Sequence, residues 1–215
     1  MGNVLKRYGV FLLSVVIIGT GITIITKTGL GTTAVTSLPF VVSRIWKVSL
    51  GTMTMWFNLL WVVLQAVLLR GRFEKRQWLQ LTVGPLLGGA IDLSAVVLIF
   101  IQPQLYVTRL LYLVAGSAVL AFGIYLQLEA RAIYNPAEGF VNALSEVMRK
   151  PFGTVKTAFD VTMVVSALVL SWLVMGDITG IREGTLISAL LIGPLTTAYR
   201  NVFAKQRETV SNFTR

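Results

Sequence analysis

Long apolar runs broken by short polar stretches set the pattern of this chain. Runs with little or no charge cover Tyr8–Thr26, Val48–Leu69, Gln77–Phe100, Leu110–Leu128, Thr154–Met175 and Gly184–Tyr199. The third is interrupted only by Asp92, and the fifth carries Lys156 and Asp160 near its start. About 20 mostly apolar residues in helical form cross a bilayer core, so the pattern predicts six transmembrane helices. Two further stretches, Thr32–Trp46 and Asn135–Met148, are too short to cross comfortably at ~1.5 Å per residue. Each reads as a re-entrant half-helix, an interfacial helix or a short tilted span. The run after Lys6 and Arg7 is too long for a signal peptide and lacks a small-residue cleavage site, which predicts a retained first helix. The expected fold is an all-α membrane protein, one integral membrane domain over residues 1–215.

Composition agrees with lipid as the main solvent. Hydrophobic residues make up 55% of the chain and charged residues 13%, about half the charged share of a soluble domain. Mean hydropathy is +0.76. There is no Cys and no His. Thiolate nucleophiles, Fe–S ligands, Ser-His-Asp triads and His-bound metal sites are therefore absent from the options. No enzyme activity, cofactor or metal is expected.

The net charge of +10 raises the question of nucleic acid, and the placement of the charge answers it. If the two short helices do not cross, about 14 of the 19 basic residues fall on one side of the membrane. If both cross, the split weakens to about 12 against 7. The positive-inside rule then favours six spans with both termini cytoplasmic. The basic excess reads as topology and contact with anionic lipid. The expected surroundings are the lipid bilayer, with no nucleic acid; a membrane protein partner or a homo-oligomer stays open.

The two halves resemble each other. Gly21-Ile22 recurs as Gly123-Ile124, Gly51-Thr52 as Gly153-Thr154 and Phe57 as Phe159, all at an offset of 102. Val83-Gly84-Pro85-Leu86 matches Ile192-Gly193-Pro194-Leu195 at an offset of 109. The repeats run over about 8–100 and about 110–203. Three spans per repeat, an odd number, predict two inverted repeats. Such repeats, with interrupted segments at matching positions, recur in secondary transporters. The alternative is a duplication used only for packing.

Ionisable groups inside spans are costly and become functional candidates. Asp92 lies deep in its helix with no base nearby in sequence. It either bonds a neighbouring helix, faces a wet vestibule or acts as the cycling carboxylate of a proton-coupled carrier. Asp160 and Lys156 are four residues apart on one helix face, a spacing that permits an ion pair. Asn58 occupies the position equivalent to Asp160. Asn135, Pro136 and Glu138 open the second short helix, where Asn135 suits an N-cap and Pro a first turn. That helix either ends in ordinary capping or aims its positive N-terminus at a ligand anion. Gly29 and Gly31 could play the matching part before the first short helix. Glu129 and Arg131 read as a solvated interfacial pair. Gly88, Gly89 and Ala90 read as sites of close helix approach, Pro85 and Pro194 as kinks, and the five Trp and the Tyr residues near span ends as interface anchors.

Several of these segments resemble one known family. Thr28-Gly-Leu-Gly-Thr-Thr resembles the AGLGTSP signature of the YczE/YitT-like bacterial membrane proteins, with Thr33-Ala34 in place of Ser-Pro. Gly51-Thr52 and Gly89-Ala-Ile-Asp-Leu are similar to that family's next segments. Val155-Lys-Thr-Ala-Phe-Asp160 is similar to its VRTALE, and Gly184-Thr-Leu-Ile-Ser-Ala-Leu-Leu-Ile-Gly-Pro194 to its GTLIFALLIGP. Ile133-Tyr-Asn-Pro-Ala-Glu-Gly139 has lost the paired glycines but keeps Pro136 and Glu138. The likeness spans nearly the whole chain and is nearest to YczE-type members. It implies a multi-pass bacterial inner-membrane protein and says little about substrate.

The reading that follows is a transporter or permease-like protein whose small-molecule or ion site lies between the two short helices. Asp92, Asp160, Asn58, Glu138, Lys156 and Asn135 are its expected site residues. The alternatives are a non-transporting accessory protein of a biosynthetic or secretion complex, and the substrate-binding subunit of an energy-coupling-type importer.

Overall fold

The computed structural model describes residues 2–130, 132–178 and 180–213, with side chains except at 2–4, 75, 76 and 205–213. Arg131, expected to pair with Glu129, lies outside the described residues. The described residues form eight α-helices in chain order: α1 (Gly2–Lys27), α2 (Ala34–Trp46), α3 (Leu50–Leu69), α4 (Gln80–Val97), α5 (Tyr106–Ala130), α6 (Pro136–Met148), α7 (Phe152–Met175) and α8 (Glu183–Phe213). Two 3-10 turns, Arg70–Arg72 and Lys75–Leu79, connect α3 to α4.

Among the described residues five segments are long and apolar enough to cross a membrane: Leu5–Lys27, Leu50–Arg72, Gln77–Val97, Tyr106–Ala130 and Phe152–Met175. The sixth predicted span falls in the first half of α8, which carries on past its apolar part as one helix of 31 residues. Both α4 and α8 run through their prolines, Pro85 and Pro194. The short helices α2 and α6 hold 13 residues each. At 1.5 Å per residue each is about 20 Å long, well under the ~30 Å of a bilayer core.

Both short helices end in the same way. The N-cap of α2 is Thr33 and that of α6 is Asn135, 102 residues on. Their C-caps, Lys47 and Arg149, are again 102 apart and share a left-handed backbone, with φ of 54° and 53°. That conformation closes a helix by turning the next amide back onto its last carbonyls. Here Lys47 and Arg149 adopt it, where glycine is the usual residue. The helices that follow open in matching register, α3 at Leu50 and α7 at Phe152.

The centre of the fold is the crossing of α1 with α5. A Cβ on Gly21 would lie 2.6 Å from the backbone of Leu120, and one on Gly123 would lie 2.8 Å from Ile18. Gly21 and Gly123 are 102 residues apart, and so are Ile18 and Leu120. Each contact is therefore the other with the halves exchanged. Further along, Gly116 meets Ile24 and Ile25. Rising numbers on α5 meet falling numbers on α1, so the two helices run antiparallel. Ile18, Ile22, Ile25, Leu113 and Leu120 fill this core with at most 4% exposure.

Other packing also comes in pairs. Helix α1 packs on α4 as α5 packs on α8, and α2 packs on α7 as α6 packs on α3. One pair breaks the pattern. Helix α3 packs closely on α4, whereas α7 and α8 make no comparable contact. Glycines show why. A Cβ on Gly88 would lie 2.5 Å from the carbonyl oxygen of Gly51, and one on Gly84 would lie 3.3 Å from Asn58. Gly153 and Gly193, which match Gly51 and Gly84 in the second half, have nothing within 4 Å of such an atom. Gly89 likewise faces open space, so of the expected contact residues Gly88 and Ala90 lie in seams and Gly89 does not. Helix α7 turns Val161, Val165, Val169 and Trp172 outward, each at least half exposed, a face suited to lipid.

Candidate functional site

A cavity of about 400 Å³ sits between the halves. Its wall is built largely from equivalent positions at the offset of 102: Ile18 with Leu120, Ile22 with Ile124, Thr33 with Asn135, Thr36 with Glu138, Thr54 with Lys156 and Asn58 with Asp160. Five of the six expected site residues therefore meet in one space. The sixth, Asp92, lies elsewhere.

The polar wall comes mainly from α2, α3, α6 and α7, with Thr196 added by α8. At the start of α2 the Thr33 hydroxyl accepts from the Thr36 amide at 3.4 Å and pairs with the Thr36 hydroxyl at 2.7 Å. Asn135 caps α6 by accepting the Ala137 amide at 3.4 Å. Both short helices thus bring their N-termini, where amides lack helical acceptors, to the same cavity. Thr54 and Asn58 stand one turn apart on α3, each 5% exposed. The Thr54 hydroxyl and the Asn58 amide nitrogen are buried without a hydrogen-bond partner. On α7, Lys156 and Asp160 form the expected ion pair, with side chains 26% and 30% exposed. Lys156 also lies over the ring of Phe159 at 5.8 Å.

Aromatic rings close one side. Trp61 stacks on Phe140 at 5.2 Å and meets Phe159 edge-on at 5.1 Å. Four of the five tryptophans, Trp46, Trp56, Trp78 and Trp172, are exposed, whereas Trp61 is 7% exposed and faces this cluster. Its mid-helix position on α3, with the cavity behind it, replaces the anchoring role expected of it.

Asn135 and Glu138 also line a second space of about 600 Å³, whose other walls include Arg72, Glu74, Gln80, Gln127, Asn142 and Glu146. They stand where the two spaces adjoin. Gln65 and Gln80 exchange hydrogen bonds at 3.0 and 3.3 Å beside it, and a Cβ on Gly139 would come within 2.8 Å of Gln65. Arg72 and Glu146 pair across its rim at 3.0 Å.

Asp92 accepts the Ser49 hydroxyl at 2.6 Å and the Gly51 amide at 3.0 Å. It therefore serves the N-terminus of α3 from a neighbouring helix and does not reach the central cavity. Asp92 thus bonds a neighbouring helix, and it also lines an open space of about 540 Å³ together with Lys27, Arg44 and Lys47. Gly29 and Gly31 also take structural parts. They adopt φ of 68° and 126°, and Gly31 lies so close to Thr185 that a side chain would collide. That approach lets the Thr32 amide donate to the Thr185 hydroxyl at 3.2 Å and the Gly184 amide to the Leu30 carbonyl at 2.9 Å.

Thr54 and Thr36 were missed by the reading of ionisable groups. The repeat offset alone points to them, since they are the counterparts of Lys156 and Glu138. Among the described residues no group of three or more His, Cys, Asp or Glu side chains is placed to hold a metal ion. No curated protein and no solved structure matches the chain significantly. Residues 5–201 match DUF6198, a family of unknown function, and the chain belongs to that family.

Proposed function

We propose that this chain is a small transporter-like membrane protein built from two inverted repeats, with its solute site in the central cavity. Its termini lie in the cytoplasm, and its motifs ally it with the YczE-type proteins they resemble. Asn58, Asn135, Glu138, Lys156 and Asp160 form the polar part of the site, and Asp92 supports α3. One observation carries this reading: the space between the halves is lined by equivalent residues and leaves buried polar groups unanswered. A duplication kept for packing alone would fill its axis with apolar side chains. An unpartnered buried donor costs about 1–3 kcal/mol, and here two sit together, on Thr54 and Asn58. A bound solute or water offsets that cost.

The unequal seams add support. Alternating access needs each half to move against the other around a fixed site. The close α3–α4 seam and the loose α7–α8 seam are the two positions such a cycle would exchange. Because the chain has no Cys, a single cysteine at position 58 reports access without background. The transport reading expects a membrane-impermeant thiol reagent to label it from either face of oriented vesicles. Labelling from one face only, or from neither, favours the accessory-protein reading, which also expects a stable partner in detergent pull-downs.

A further inference from the structure

We infer that the central cavity takes a small zwitterion with an apolar body, of the size and charge pattern of an apolar amino acid. The inference rests on reading that cavity as a solute site, and it concerns what binds there, not whether the site alternates. The α2–α3 side offers donors. Thr54 Oγ1 and Asn58 Nδ2 are buried and unpartnered, and both residues line the cavity. The first-turn residues Ala34 and Val35 line it too, at the positive end of α2, where Thr33 caps the Thr36 amide. These groups call for an anionic acceptor, such as a carboxylate.

The α6–α7 side has the opposite character. Lys156 already neutralises Asp160. Glu138 makes no ion pair among the described residues, so its carboxyl is the ionisable group of this wall left without an ionic partner, and an ammonium brought beside it would hold it ionised. Glu138 lies 102 residues after Thr36, which opens α2 on the donor side. Between them lie Phe57, Trp61, Leu87 and Ile192, which suit an aliphatic or aromatic body. A volume of about 400 Å³ is near the small end of the ~300–1,000 Å³ range of ligand pockets. A solute with one charge would leave one side unanswered.

The test is equilibrium binding to the full chain in lipid nanodiscs, read by thermal stabilisation and calorimetry. The panel is the apolar amino acids, together with leucinol, which lacks the carboxylate, and isocaproate, which lacks the ammonium. At least one amino acid should bind at least tenfold more tightly than both singly charged analogues. Asn58→Leu should weaken it tenfold or more, and Glu138→Gln should bring the amino acid and isocaproate to within about threefold of each other. Wild-type selectivity decides the matter even if a variant fails to fold. Equal binding of leucinol would make this an organic-cation site, equal binding of isocaproate an anion site, and no binding by any amino acid would remove the zwitterion; each overturns the inference. Selective binding without two-faced labelling of position 58 would keep the zwitterion and remove transport, and the converse result would do the reverse.

Discussion

Asp92 and Asp160 look alike in the sequence, each a lone acid within an apolar run, yet they meet different partners. Asp92 reaches across to Ser49 and the Gly51 amide, a bond between positions 41 residues or more apart that no local pattern announces. Asp160 pairs with Lys156 on its own helix, and the four-residue spacing made that legible. Asp92→Ala should therefore lower stability by about 0.5–2 kcal/mol, the usual worth of an N-cap, seen as a lower Tm in detergent. Labelling of a cysteine at position 58 should stay as it was. Lys156→Met should cost about 1–3 kcal/mol by leaving Asp160 charged and unpaired, and the added Asp160→Leu should restore part of it. Thermal unfolding of the two variants checks the pair; equal losses in the single and double variants would rule out coupling.

Helices were the most legible level, because apolar runs and caps are local. The predicted ends of the short helices, Trp46 and Met148, are the ends found. The uncharged run predicts a fourth long helix from Leu110, but α5 begins at Tyr106. It absorbs Arg109, whose guanidinium donates to the Pro103 carbonyl at 3.2 Å; a charge at a helix start is tolerable once it has a partner. Which glycines lie in seams was not legible, since Gly88 and Gly89 differ only by the rotation of one residue about α4. Gly88→Leu should force α3 and α4 apart and reduce folded yield severely. Gly89→Leu, on the open side, should leave yield and Tm within experimental error. Size-exclusion profiles of the two proteins make the comparison.

At the scale of the whole molecule, the repeat offset carried more information than any motif. In the sequence it pairs the short helices and sets Asn58 opposite Asp160; the matching caps and the pairs Thr54–Lys156 and Thr36–Glu138 emerge only in the fold. The offset did not reveal that one seam closes while its counterpart stays loose, because that depends on Gly51 meeting Gly88 across two helices. The charge bias makes a topological prediction. A cysteine at position 73, between Arg72 and Glu74, should react with impermeant reagents only from the cytoplasmic side. Reaction only from outside would show that the short helices cross and would end the six-span topology.

The antiparallel contact in which Gly21 meets Leu120 and Gly123 meets Ile18 has a consequence for how such a chain can be assembled. Each half carries both the notch and the ridge that fits it, so neither depends on the covalent link for recognition. Two separate polypeptides, cut between Gln102 and Gln104, should find each other in the bilayer and co-purify as one complex. Gly21→Leu together with Gly123→Leu, which fills both notches, should abolish that complementation while each fragment still inserts.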